Sequence, residues 1–177
     1  FWVNPKVSKI IFVIIPTIFE IKFGGHETSH LVNQVTNYQR IIALSPSSVE
    51  IIYRLGLENQ LVGVSRFSNY PPEAKEKPTI GGYVDFHYEK LISLQPDCVI
   101  LLKEQAALAV KLKQLGIHPI NISHDDTDGI IESIKIIGNE LGRPGKARQI
   151  VADINTTVDQ QISEHQNMPN QHRVLIS

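Results

Sequence analysis

Cysteine is almost missing from this chain: Cys98 stands alone among 177 residues. A single thiol excludes any intramolecular disulfide. Its place in the apolar run Cys98-Val99-Ile100-Leu101-Leu102 reads as a small core residue, since neither a partner base nor a cation lies beside it to make a thiolate. Charge of one sign is missing too. Seventeen Lys and Arg face eighteen Asp and Glu, for a net charge of −1, and no block of either sign occurs. That balance excludes a nucleic-acid surface, which requires clustered base, and electrostatic attachment to a membrane. Long hydrophobic runs are lacking as well. The longest, residues 10–15, falls far short of the roughly 20 apolar residues that span a bilayer. Gly81-Gly82 has no Lys-Ser/Thr behind it, so it is not a phosphate loop, and no nucleophile elbow is present.

What remains has the composition of a globular domain, with 42% hydrophobic and 20% charged residues. Lys6 and Lys9 precede the apolar residues 10–15, and that layout predicts a secretory leader over residues 1–22, although no small-x-small cleavage site follows. Residues 35–38 suggest an edge strand. From Arg40 onward, short apolar runs alternate with helical stripes. The runs at residues 41–44, 61–64, 98–102 and 117–122 predict strands of a parallel sheet buried on both faces. Between them, Ser45 before Pro46, with Glu50 expected in the first turn, starts a helix that Gly56 stops. Further helices are expected over residues 88–94 and 105–115, and from Thr127 as cap to Leu141. Residues 66–84, rich in Pro and Gly, form a long loop. Ile150, Ile154, Val158 and Ile162 recur every fourth residue and predict one long helix over residues 146–165. The expected class is therefore α/β: an open parallel sheet with flanking helices over residues 23–145, then a long helix.

Ligands of open parallel sheets bind at the loops after the strand C-termini. Four loops qualify: residues 45–48, 65–70, 81–86 and 102–105. Ser45, Pro46 and Ser47 bring free N–H groups at a helix start, which suits a ligand carbonyl or anion, although helix capping alone would account for the serines. Leu102 opens the last of these loops. Phe67, Tyr83 and Phe86 offer flat apolar faces for a large planar ligand; the alternative for each is packing beneath its own loop. His87 is a polar loop residue without a second ligand nearby. His26 and His30 share helical spacing, and Asp125-Asp126 reads as a helix cap.

The string at residues 40–50, Arg-Ile-Ile-Ala-Leu-Ser-Pro-Ser-Ser-Val-Glu, closely resembles the opening of the periplasmic binding proteins for vitamin B12 and ferric siderophores. The likeness continues through Val62-Gly63-Val64-Ser65, Tyr70-Pro71-Pro72-Glu73-Ala74, Gly81-Gly82-Tyr83 and residues 89–97. The Tyr-Pro-Pro-Glu-Ala segment points to the cobalamin branch. The resemblance implies two α/β lobes joined by a long helix, with residues 146–168 as the connector and residues 169–177 opening a second lobe. It implies a periplasmic, non-enzymatic protein that holds cobalamin or an iron chelate between its lobes and delivers it to an ABC permease in the inner membrane. It requires no cofactor or metal of its own. Phe67 and Tyr83 align with ligand-contacting aromatics of the family, and Glu89 with a glutamate that docks on the transporter, where a charge pair sets register. A first-turn Glu favoured by the helix dipole is the alternative for Glu89. From another class, an α/β enzyme using His87 or His124 in metal or acid–base chemistry is the competing reading.

Overall fold

The computed structural model describes residues 37–82 and 85–166. The leader expected at residues 1–22, His26, His30, Tyr83 and the second-lobe opening expected at residues 169–177 lie outside them. Among the described residues, four strands form one all-parallel sheet: β1 (Ile41–Ala43), β2 (Leu61–Val64), β3 (Cys98–Leu102) and β4 (His118–Ile122). Their order across the sheet is β2-β1-β3-β4. In register, Ile42 lies opposite Val99 and Ile100 opposite Ile120. The expected edge strand is not formed at Asn37 and Tyr38; Tyr38 instead stacks on His118, with ring centroids 5.2 Å apart.

Alternation along the strands splits the core in two. Ile41, Ala43, Ile100 and Ile120 face α1 (Pro46–Arg54), α4 (Thr127–Glu140) and the start of α5 (Pro144–Gln166). Ile42, Val99 and Leu101 face α2 (Tyr88–Ser93) and α3 (Ala106–Gln114). β1 and β3, at the centre of the sheet, read as continuous apolar runs because both faces are covered. Cys98 is fully buried, and burial pushes its thiol pKa far above the ordinary value. The sheet is thus a three-layer sandwich with helices on both faces, as the periodicity predicts.

Helix starts depart from expectation in two places. Ser45 is the N-cap of α1, and Glu50 falls beyond its first turn. Of the two cap readings offered at α4, Asp126 holds and Thr127 does not: the Asp126 carboxylate accepts the Gly129 N–H at 2.7 Å, and Asp128 follows in the first turn. Asp126 has the extended backbone a cap requires, and from there its carboxylate reaches the N3 N–H. The loop at residues 66–84 contains one 3₁₀ stretch, Pro72–Glu76, after a cis Tyr70-Pro71 bond. The last helix begins at Pro144, where the missing N–H costs nothing, and runs to Gln166. Its first half lies against α4, while Val158 and Ile162 are exposed.

Candidate functional site

Strand order decides where the site forms. The chain leaves β1 toward β2 on one side, then crosses to β3 on the other. At this reversal the loops after neighbouring strands diverge onto opposite faces and leave a crevice above the strand ends. A cavity of about 320 Å³ lies there, lined by Leu44, Ser45 and Pro46 after β1, Ser65 and Phe67 after β2, Leu102 and Glu104 at the end of β3, and His124 after β4.

The β1 loop is built around hydroxyls. The Ser48 N–H donates to Ser45 Oγ and the Ser45 N–H donates to Ser48 Oγ, both at 3.3 Å, so each serine satisfies an orphan donor of the other. Ser45 Oγ also lies 3.1 Å from Ser47 Oγ. Ser45 and Ser48 are buried, so capping occupies most of their hydrogen-bonding capacity. Pro46 is exposed at the cavity lip, and Ser47 lines an adjoining groove of about 500 Å³ between α1, α4 and α5.

After β2, the Ser68 N–H donates to the Ser65 carbonyl at 3.1 Å, and the two buried hydroxyls meet at 2.9 Å. This tight turn spends its polar groups internally and turns Phe67 outward, leaving it 57% exposed at the cavity. An apolar ring so exposed has a face free for a ligand. After β3, the Leu102 N–H donates to Gln105 Oε1 at 3.1 Å and holds the loop against the strand end.

The β4 loop is fastened from two sides. The Ser123 N–H donates to Ser133 Oγ at 3.2 Å, and the Ser133 hydroxyl lies 2.6 Å from the Ser123 carbonyl. On the other side, the Lys103 ammonium pairs with the Asp125 carboxylate. The hydrogen bond from Lys103, then that from Ser123, holds the Asp125 carboxyl below its ordinary pKa, and the same bond raises that of Lys103. His124 is therefore carried on a braced segment rather than a free tip.

Of the residues singled out from sequence, the cavity brings together Ser45, Pro46, Phe67 and Leu102. Ser47 sits in the neighbouring groove. Phe86 is half-buried and packs against the α2/α3 core, and is not among the described residues lining the cavity. Glu89 is exposed in the first turn of α2. His124, which the sequence offered only for enzyme chemistry, joins the cavity residues, and so do Ser65 and Glu104 from two of the expected loops. The signal for His124 was available, since it follows the fourth strand as Ser45, Phe67 and Leu102 follow or end the other three. Among the described residues, no group of three or more His, Cys, Asp or Glu side chains is placed to hold a metal, and no helix is long and apolar enough to cross a membrane.

Three comparisons bear on this geometry. The family model described as periplasmic binding protein matches residues 41–176. A vitamin B12-binding protein of Vibrio campbellii is 36% identical over 124 residues, covering 68% of this chain and 45% of that protein. Among solved structures, the periplasmic vitamin B12-binding protein of Vibrio cholerae matches with a TM-score of 0.64 at 27% identity, over 73% of this chain and 52% of that one. A periplasmic heme-binding protein of Pseudomonas aeruginosa matches with a TM-score of 0.66 at 26% identity, over 71% and 46%. This chain therefore spans about half the length of the curated relatives it matches. These relatives are binding proteins rather than enzymes. With the sheet, the strand-end cavity and the family match in agreement, the chain belongs to the periplasmic binding protein family.

Proposed function

We propose that this chain forms one lobe of the substrate-binding component of an ABC importer. Its ligand is cobalamin, captured between this lobe and a second one and handed to a membrane permease on the outer side of the inner membrane. The observation that carries this reading is the convergence of all four strand-end loops on one open, mostly apolar cavity with the exposed ring of Phe67 at its wall. A volume of about 320 Å³ lies near the bottom of the roughly 300–1,000 Å³ range of small-molecule sites. A corrinoid would fill it with only part of its surface and leave a face for a second lobe to cover. In this reading α5 is the connector, and a rigid helix between lobes keeps closure small. Glu89 serves as a docking charge for the permease, consistent with its exposure. No bond is made or broken.

The test is an absorbance titration of cyanocobalamin into protein expressed from the full open reading frame, with Phe67→Ala beside it. Saturable binding at or below micromolar ligand, weakened by Phe67→Ala without loss of folding, supports the reading. No binding of cyanocobalamin at that concentration refutes it. A second reading, a haem or ferric-chelate carrier of the same family, is favoured by His124 in the cavity wall, since a neutral imidazole is an iron ligand. A haem titration that shows a Soret shift abolished by His124→Ala would select it.

A further inference from the structure

The proline- and glycine-rich loop between β2 and α2 does not line the cavity with its described residues at 81, 82, 85 and 86, yet its backbone is built to close contacts. The Arg66 N–H donates to the Gly81 carbonyl at 2.8 Å, and the His87 N–H donates to the Ile80 carbonyl at 2.7 Å. Gly81 has φ of +109° and pairs with Phe86 in an isolated antiparallel bridge. A Cβ at Gly81 would come within 2.6 Å of the Asp85 carbonyl oxygen. At Gly82, a Cβ would collide with the Asp85 carboxylate and come within 3.0 Å of the Arg66 guanidinium. Two glycines in a row thus remove the side chains that would keep Asp85 away from Arg66. The outcome is an Arg66–Asp85 ion pair across the loop. The same guanidinium lies over the ring of Phe67, 5.6 Å from its centroid.

We propose that Arg66 and Asp85 are positioning residues: the pair holds the guanidinium against one face of Phe67 and so fixes the ring with its other face toward the ligand cavity. The inference rests on the reading of that cavity as the ligand site. Phe67 sits on a turn whose hydroxyls and carbonyl bond one another, and its ring is 57% exposed. An exposed phenylalanine at such a place samples several rotamers, and a ligand that stacks on it must first select one. A cation over one face removes that freedom beforehand, through the attraction of the guanidinium for the negative face of the ring. Asp85 supplies the second anchor, because an Arg fixed at one end by a carboxylate keeps its plane oriented. With 45% and 68% of their side chains exposed, Arg66 and Asp85 are too solvated for the pair to matter much to folding. That separates the positioning role from a structural one.

The experiment uses full-length protein labelled with 4-fluorophenylalanine, with the Phe67 fluorine signal assigned by its loss in Phe67→Leu. Asp85→Asn and Arg66→Gln are expected to shift the Phe67 signal toward the solvent-exposed value and to sharpen it. Half-molar salt is expected to do the same to the wild type, and Arg66→Lys to fall between. Cyanocobalamin affinity in Asp85→Asn should fall about threefold to fivefold, the loss expected for an exposed cation–ring contact. The urea midpoint should not move. If the Phe67 signal is the same in Asp85→Asn, Arg66→Gln and wild type, the positioning pair is refuted, whatever the ligand. If the wild type binds no cyanocobalamin but the Phe67 signal responds to both variants, the pair stands and the cobalamin reading fails. A fall in affinity matched by a fall in the urea midpoint would assign the pair a structural role and overturn the proposal.

Discussion

Ser133 fastens α4 to the loop that carries His124, and its replacement by alanine is the sharpest test of how the site is held. The side chain is 3% exposed. Its Oγ accepts the Ser123 N–H at 3.2 Å and lies 2.6 Å from the Ser123 carbonyl and 2.7 Å from the Gly129 carbonyl, its single proton serving one or being shared between both. Ser133→Ala removes an acceptor and a donor together and leaves the Ser123 N–H without that partner in a partly buried place. An unsatisfied group of this kind costs about 1–3 kcal/mol. Alanine returns about 0.5 kcal/mol as the better helix former. The back-bond from a mid-helix serine to the i−4 carbonyl is weak, and its loss adds little. The net expectation is a destabilisation of about 1–2 kcal/mol, read as a lower urea midpoint with unchanged slope. In a domain of this size that corresponds to a fall of roughly 2–8 °C in Tm. Ligand affinity should fall beyond what stability explains, since His124 rides on the segment that Ser133 fastens. Ser93, exposed and donating its hydroxyl to the carbonyl of Lys90, is the control, and Ser93→Ala should stay within about 0.5 kcal/mol. If Ser133→Ala behaves like the control, the β4 loop is held by something else and the description of the site is wrong.

Three further outcomes follow from the same geometry. Gly138→Ala brings a methyl into the Cβ of Ala147 where α4 meets α5; overpacking of about 1–3 kcal/mol outweighs the helix-propensity gain of about 1 kcal/mol, so Tm should fall, and an unchanged or higher Tm would refute close packing there. Cys98, buried with its thiol pKa pushed up, should react with a thiol reagent only as fast as the chain unfolds, in contrast to rapid labelling of native protein if the strand were open. Asp125 has a depressed pKa in the folded state, so its ion pair with Lys103 is complete above the ordinary carboxylate range and is lost as pH falls through the lower folded value. A carbon-13 titration of its carboxyl should show a midpoint below 3.8 that rises in Lys103→Met, and no change in that variant would remove the brace from the account.

Reading the sequence alone went furthest where burial is two-sided. β1 and β3 carry nothing but apolar side chains because both faces are covered, and such runs announce themselves. β4 was legible despite Pro119 and Asn121, since an edge strand tolerates both and Asn121 is exposed. The caps were legible to within one residue, as Asp126 and Thr127 both suit the position and only backbone geometry separates them. The site was half legible. Ser45, Pro46, Phe67 and Leu102 each follow or end a strand, as the rule for open parallel sheets requires, with the helix start and the family resemblance pointing to some of the same positions. His124 obeys the same rule, but its contribution depends on β4 lying beside β3 in the order β2-β1-β3-β4, a long-range fact that local pattern does not carry. Phe86 illustrates the converse: its neighbours suggest an open loop, yet the Gly81–Phe86 bridge folds its ring back onto α2 and α3. Nor does composition reveal that a Cβ at Gly82 would collide with the Asp85 carboxylate.

The central claim is that the strand C-termini of this sheet present the ligand surface. Backbone amide shifts of the full-length protein, recorded with cyanocobalamin and in a second sample with haem, test it most directly. The account predicts that the responding amides cluster at residues 44, 45 and 47, 65–67, 102–104 and 123–125, with Tyr38, His118 and Glu140 at the other end of the strands unmoved. Shifts concentrated at that opposite end, or none with either ligand, would contradict it.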